Sequence, residues 1–174
     1  MKPKLVVLTG LPGTGKSAIA EAVAGHLRAP VFAKDRLEAP LLRSGAVRPE
    51  QLGSLGYELL TTLADRQLAL GQSAVLDSVA STASIRSAWR ELADRHRAAW
   101  YVIECVCSDP NVHRQRLDGR ARGIPDWPEL DWSEVERVRG YYAPWDEPRL
   151  TLDAMALLGD NIVRAVDYID DAGG

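Results

Sequence analysis

Residues 10–17 read GLPGTGKS and stand directly behind the apolar run LVVLT. Glycine, four residues, then Gly-Lys-Ser is a spacing that cradles phosphate. The glycines let backbone N–H groups converge on a polyphosphate, Lys16 reaches its outer phosphates, and the Ser17 hydroxyl ligates Mg²⁺. The expected nucleotide contacts are therefore Gly10, Leu11, Pro12, Gly13, Thr14, Gly15, Lys16, Ser17 and Ala18. The next stretch, KSAIAEAVAGHLRA, carries apolar residues at helical spacing. Its N-terminus would add partial positive charge at the phosphates.

A phosphate loop alone announces only a bound nucleoside triphosphate, so any further chemistry has to come from elsewhere. Asp35, in VFAKDRL, is expected to close the second strand and face the same crevice as the loop. A carboxylate there can take the proton of an attacking hydroxyl; Asp is equally a favoured helix cap. Asp77, in AVLDS, is expected to close the third strand, where a carboxylate orients Mg²⁺ through water. Asp also starts turns readily, and sequence leaves open whether Asp77 serves the metal or the acceptor.

Arg114, Arg116, Arg120 and Arg122 fall within HRQRLDGRARG. Arginines delivered by a closing segment stabilise the charge that phosphoryl transfer spreads over the equatorial oxygens. Arg116 and Arg120, four apart, would share a helix face and are the expected catalytic pair. The other reading is a solvated basic face partnered by residues such as Asp118. Five of the eleven aromatic residues, Trp127, Trp132, Tyr141, Tyr142 and Trp145, follow among Asp126, Glu129, Asp131, Glu134 and Glu136. They are either an exposed wall suited to a sugar or a cationic ring, or rings packing a lid helix whose acids face solvent.

Alternation of short apolar runs with helical patterns positions all of these. KLVVLTG, APVFAKD, SAVLDS, AWYVIECVC and RLTLDA read as five strands. Helices are expected between them, including one over 49–71 with Leu52, Leu55, Leu59 and Leu63 at helical spacing, after an irregular stretch at 38–49. Another starts at Ser108 or Asp109 and ends at Gly119 or Gly123. The pattern predicts an α/β fold, a parallel five-stranded sheet with helices on both faces, in three layers. Residues 1–174 read as a single domain with a lid at about 114–132.

Composition narrows the partners. A 46% hydrophobic and 26% charged chain is ordinary for a globular protein, and no apolar run approaches the roughly 18 residues that span a membrane. The N-terminus does not read as a signal peptide. Cys105 and Cys107, two apart in one strand, share a face and read as reduced packing residues, so the cytoplasm is expected. A formal charge of −3 argues against a nucleic-acid binder. His26, His96 and His113 lack metal-ligand spacing and read as surface or packing residues.

With GLPGTGKS, AKD, VLD and RQRLDGR in place, the chain resembles the P-loop small-molecule kinases of the chloramphenicol phosphotransferase, gluconate kinase, zeta-toxin and polynucleotide 5′-kinase types. The resemblance implies the P-loop kinase fold and ATP-dependent transfer to a hydroxyl of a small molecule such as a sugar, aminocyclitol or antibiotic. It would put Lys16 on the β- and γ-phosphates, Ser17 on Mg²⁺, Asp35 as base, and Arg116 and Arg120 in the lid. The polynucleotide kinases tend to carry an arginine three residues after the base, where this chain has Glu38. Nucleic-acid-end kinase and acceptor-free nucleotide module are the rival readings.

Overall fold

β1 (Lys4–Thr9) is apolar on both faces. Leu5 and Val7 turn to one side, Val6 and Leu8 to the other, and all four are fully buried. Such a strand belongs inside a sheet that is covered twice. The computed structural model, which describes residues 2–119, 123–125 and 127–171, places it there. The sheet order is β2-β3-β1-β4-β5, with β2 at Val31–Ala33, β3 at Ala74–Asp77, β4 at Ala99–Val106 and β5 at Leu150–Asp153. Every neighbouring pair is parallel.

α1 (Lys16–Leu27) and α7 (Leu158–Asp171) cover one face, setting Ile19, Val23, Ala165 and Ile169 on Val6, Leu8, Tyr101 and Ile103. α3 (Pro49–Ala69) and α4 (Ala83–Arg95) cover the other, setting Leu60, Leu68, Trp89 and Leu92 on Leu5, Val7, Leu76 and Val102. The buried stripe of α3 is Leu52, Gly56, Leu60, Ala64 and Leu68. It runs one residue out of step with the leucine series, and Leu55, Leu59 and Leu63 are only half-buried. Because β3 and β4 flank β1 on opposite sides, a crevice opens beyond its C-terminal end.

Three expectations need correcting. β2 stops at Ala33, and α2 (Lys34–Arg43) starts at once, so Asp35 lies in a helix's first turn rather than closing a strand. Ala33 holds the cap position, which removes the capping role considered for Asp35. Residues 38–43, read as irregular, are helical despite Pro40, which costs α2 one backbone bond; burial of Glu38 and Ala39 against α3 accompanies that loss. Finally, Cys105 is buried but Cys107 lies past the end of β4 and is half-buried, both as free thiols. Burial pushes the Cys105 thiol up to about 12, so it stays protonated.

Candidate active site

The loop between β1 and α1 is held in a shape that few residues other than glycine permit. Gly10 has φ 127°, and a Cβ there would lie 2.1 Å from the Cys105 carbonyl oxygen of β4. Thr14 Oγ1 donates to the Leu11 carbonyl at 2.9 Å, and Lys16 Nζ donates to the carbonyls of Gly10 and Leu11, also at 2.9 Å. From α5 (Pro110–Asp118), the buried His113 donates from Nε2 to the Pro12 carbonyl at 2.7 Å. α1 has neither a side-chain cap nor an acidic residue in its first turn. Its positive end is thus left to an anion.

One cleft of about 720 Å³ gathers four of the expected residues: Lys16, Ser17, Asp35 and Asp77. That volume suits a small ligand together with part of a second. Asp77 does close β3, is 6% exposed, and faces the cleft at its rim. The Ser17 hydroxyl and the Asp77 carboxylate are hard oxygen donors lining the same space. They fit Mg²⁺, which takes one or two protein oxygens and completes its shell with water and phosphate.

Arg116 is elsewhere. It is exposed on α5 and lines a smaller cleft with Thr14, Gly15, Ile19, Leu158 and Asn161, on the far side of the loop from Asp35 and Asp77. The helix capped by Asp109 ends at Asp118, with Gly119 as its C-cap. Arg120 and Arg122, with part of the 114–132 segment, lie outside the described residues. In the small cleft Asn161 donates from Nδ2 to the Asp153 carbonyl at 2.8 Å. That bond fixes the amide's orientation, and Oδ1 is buried with no partner among the described residues. The N–H groups of Ala154, Met155 and Ala156 are all spent on Val106 O, Asp153 Oδ1 and Asp153 O.

The aromatic residues divide between the two readings. Trp127 and Tyr141 line the large cleft. Trp132, which opens α6 (Trp132–Arg139), meets His113 edge-on at 5.1 Å, with the Arg114 and Arg139 guanidiniums over its ring. Tyr142 and Trp145 pack inward: Tyr142 donates to Glu104, Trp145 Nε1 donates to Tyr142, and Arg86 stacks on the Trp145 ring at 3.9 Å. Among the acids, Asp131 caps α6, and Glu134 and Glu136 pair with Arg137 and Arg139.

Sequence reasoning missed another part of the large cleft's lining. Glu38 of α2 is 2% exposed and pairs with Lys34, whose Nζ lies 4.9 Å over the Tyr57 ring of α3. Burial raises the Glu38 carboxyl above its ordinary range, against the opposing pull of Lys34. Tyr57 in turn bonds to Ser81 in the β3–α4 loop. A helical i, i+4 Lys/Glu spacing was the available signal, but such pairs usually face solvent.

Comparison with known proteins bears on this arrangement. Residues 5–144 match the model of the AAA_33 family, described as an AAA domain. The chain belongs to that AAA domain family. A relative of this AAA-family chain is 6-phosphofructo-2-kinase/fructose-2,6-bisphosphatase 1 of Mus musculus, 25% identical over 175 residues, covering 83% of the chain and 36% of the relative. The chain thus spans about a third of the length of that relative. Among solved structures, a candidate kinase of Chloroflexus aurantiacus superposes with a TM-score of 0.78 at 24% identity, over 99% of this chain and 98% of that one. A sugar kinase of Janibacter sp. HTCC2649 gives 0.73 at 18% identity, over 97% and 95%. The family shown is thus the AAA domain family, and the fold is the one these kinase structures share. Among the described residues no helix is long and apolar enough to cross a membrane.

Proposed function

We propose that this AAA-family chain is a Mg²⁺- and ATP-dependent kinase that moves the γ-phosphoryl group to a hydroxyl of a small molecule. The observation that carries the reading is the joining of the phosphate loop, Asp35 and Asp77 in one cleft with space beyond the phosphate end. In the step, the acceptor oxygen bonds to the γ-phosphorus as the bond from that phosphorus to the bridging oxygen breaks. The acceptor's proton passes to the Asp35 carboxylate. Lys16 neutralises charge on the β- and γ-phosphates, which develops most strongly on the leaving oxygen. Ser17 and Asp77 would hold Mg²⁺, whose chemistry is to neutralise and orient those phosphates. The 114–132 segment serves as a lid that excludes water, with Arg116 beside the nucleotide and Arg120 among its charged contacts. Addition of a non-hydrolysable ATP analogue should then change the fluorescence of Trp127 and Trp132; an unchanged spectrum would argue for a fixed segment.

The small cleft suits the base. Asn161 Oδ1 and the loop carbonyls beside it are acceptors, while the neighbouring N–H groups are spent. Adenine offers a 6-amino donor to such a site, whereas guanine presents an oxygen that would leave both sides unpaired. An unmade buried bond costs about 1–3 kcal/mol, so ATP should bind roughly 5- to 150-fold tighter than GTP. Asn161→Ala should bring the ratio within about threefold. Calorimetric titration of both nucleotides checks this, and equal affinities in the parent protein would remove Asn161 from base selection.

A nucleic-acid-end kinase is the rival. The Glu38 position, the −3 charge and the carboxylate partners of Lys34 and Arg137 all weigh against a polyanionic acceptor. Labelled ATP offered to pooled small metabolites, and separately to RNA and DNA oligonucleotides, tests the choice. Label is expected in the metabolite pool; efficient labelling of 5′ ends would promote the rival.

A further inference from the structure

The Glu38–Lys34 pair carries two costs that helix packing alone does not require. A carboxylate buried to 2% exposure loses its hydration, and apolar side chains of similar size would join α2 to α3 at least as well. Room for it is made by a glycine in the middle of α3. A Cβ on Gly56 would lie 2.2 Å from Glu38 Oε1 and 2.7 Å from its carboxyl carbon. Glycine at a helix interior costs about 1 kcal/mol against alanine. Both features meet on a wall of the large cleft, where Lys34, adjacent to Asp35 in sequence, and Glu38, three residues after it on α2, line the same space.

Among the described residues, the acceptor end of that cleft has little positive charge to spare. Lys34 is bonded to Glu38 and Arg137 is bonded twice to Glu134. Arg36, exposed at the rim, is the remaining described cation on α2 that lines the cleft. Trp127 lines the same cleft, with its indole nitrogen buried. It also offers an apolar ring face.

We infer that Glu38 and Lys34 recognise the acceptor, and that the acceptor is an uncharged polyol with a second hydroxyl next to the one phosphorylated. This rests on the kinase reading above. With the reacting hydroxyl at Asp35, its neighbour falls to the adjoining pair. Glu38 accepts that hydroxyl's proton in a hydrogen bond and Lys34 donates to its oxygen, so the pair reads both halves of one O–H group. The Trp127 ring, which lines the same cleft, covers the C–H face of the ligand. Among the described residues of α2 and α6 that line the cleft, a phosphorylated acceptor would have to break one of the two ion pairs or rely on Arg36.

Three acceptor pools test the inference with γ-labelled ATP: neutral hexoses, pentoses and cyclitols; the phosphate esters of the same compounds, including fructose 6-phosphate; and monohydroxy alcohols of similar size. Label is expected in the first pool. Preferential labelling of the esters or the monohydroxy alcohols would overturn the inference and leave the kinase reading standing. No label in any pool, while ATP still binds, would contradict both.

For the polyol that labels best, Glu38→Gln should raise its KM about 10-fold or more and keep the KM for ATP within about twofold. Gly56→Ala, which drives a methyl into the Glu38 carboxylate, should do the same although alanine favours the helix. Removing the neighbouring hydroxyl from the acceptor should cost a similar factor in the parent protein and little more in Glu38→Gln. If both variants shift the melting temperature and leave the acceptor KM unchanged, the pair is a helix clamp and the inference fails.

Discussion

Lys16→Ala should abolish measurable transfer, lowering kcat by about 10²–10³-fold or more, as loss of one preorganised donor to developing charge does. It should also weaken ATP binding. Without the ammonium, the phosphates lose the cation that the loop itself supplies and keep only its backbone dipoles and the positive end of α1 from that element. The fold should survive, because Lys16 contributes two bonds to the carbonyls of Gly10 and Leu11, which water can replace at the cleft. His113 and Thr14 go on holding the loop at Pro12 and Leu11. A coupled assay with calorimetry and a thermal melt checks all three points. Activity within a few-fold of the parent would remove the phosphate loop from the mechanism.

Asp35→Asn should cut turnover by roughly 10²–10⁴-fold, the contribution of a positioned general base, while ATP affinity changes far less. Asn keeps the shape and polarity of the side chain in the first turn of α2 and loses only its charge there, worth about 0.3–1 kcal/mol to the helix. A purely structural Asp35 would therefore show a small drop in melting temperature and unchanged kcat. Asp77→Asn should appear instead as a raised Mg²⁺ requirement. Metal titrations on both variants separate the roles: if Asp35→Asn shifts the metal dependence and Asp77→Asn removes turnover, the two carboxylates have exchanged tasks.

The parts of the molecule legible in sequence are those where local pattern and burial agree. LVVL before a glycine-rich turn gives a central strand and the loop, and AVLD puts a charge at the end of four buried residues, where only the crevice can receive it. α2 was hidden because Pro40 and the polar KDRLE segment resemble a loop; what the helix buries is Glu38 and Ala39, against an α3 surface that sequence does not display. The leucine series of α3 misleads by one residue because Gly56, chosen for the room it leaves Glu38, occupies the inner face.

The division of the site was equally hidden. Arg116 and Asp35 both point to phosphate chemistry, yet they line different clefts, because β4 and α5 carry Arg116 to the far side of the loop. Nothing in the spacing of HRQRLDGRARG signals that His113, read as a surface or packing residue, donates to Pro12. Packing is indeed part of its role: it joins the loop to Trp132 at the start of α6. Asn161 sits in an amphipathic helix and looks like any polar residue until its Nδ2 bond to Asp153 leaves Oδ1 buried with no partner among the described residues.

The central claim is transfer to a small-molecule hydroxyl, and a phosphorus balance tests it most directly. The protein is incubated with Mg²⁺, ATP and the neutral polyol pool, and the products are counted by phosphorus NMR. One new phosphate monoester is expected for each ADP formed, with little inorganic phosphate, and product formed roughly 10²–10⁴-fold more slowly when Asp35 is Asn. ADP matched by inorganic phosphate alone, with or without the pool, would contradict the claim and leave a nucleotide-hydrolysing module.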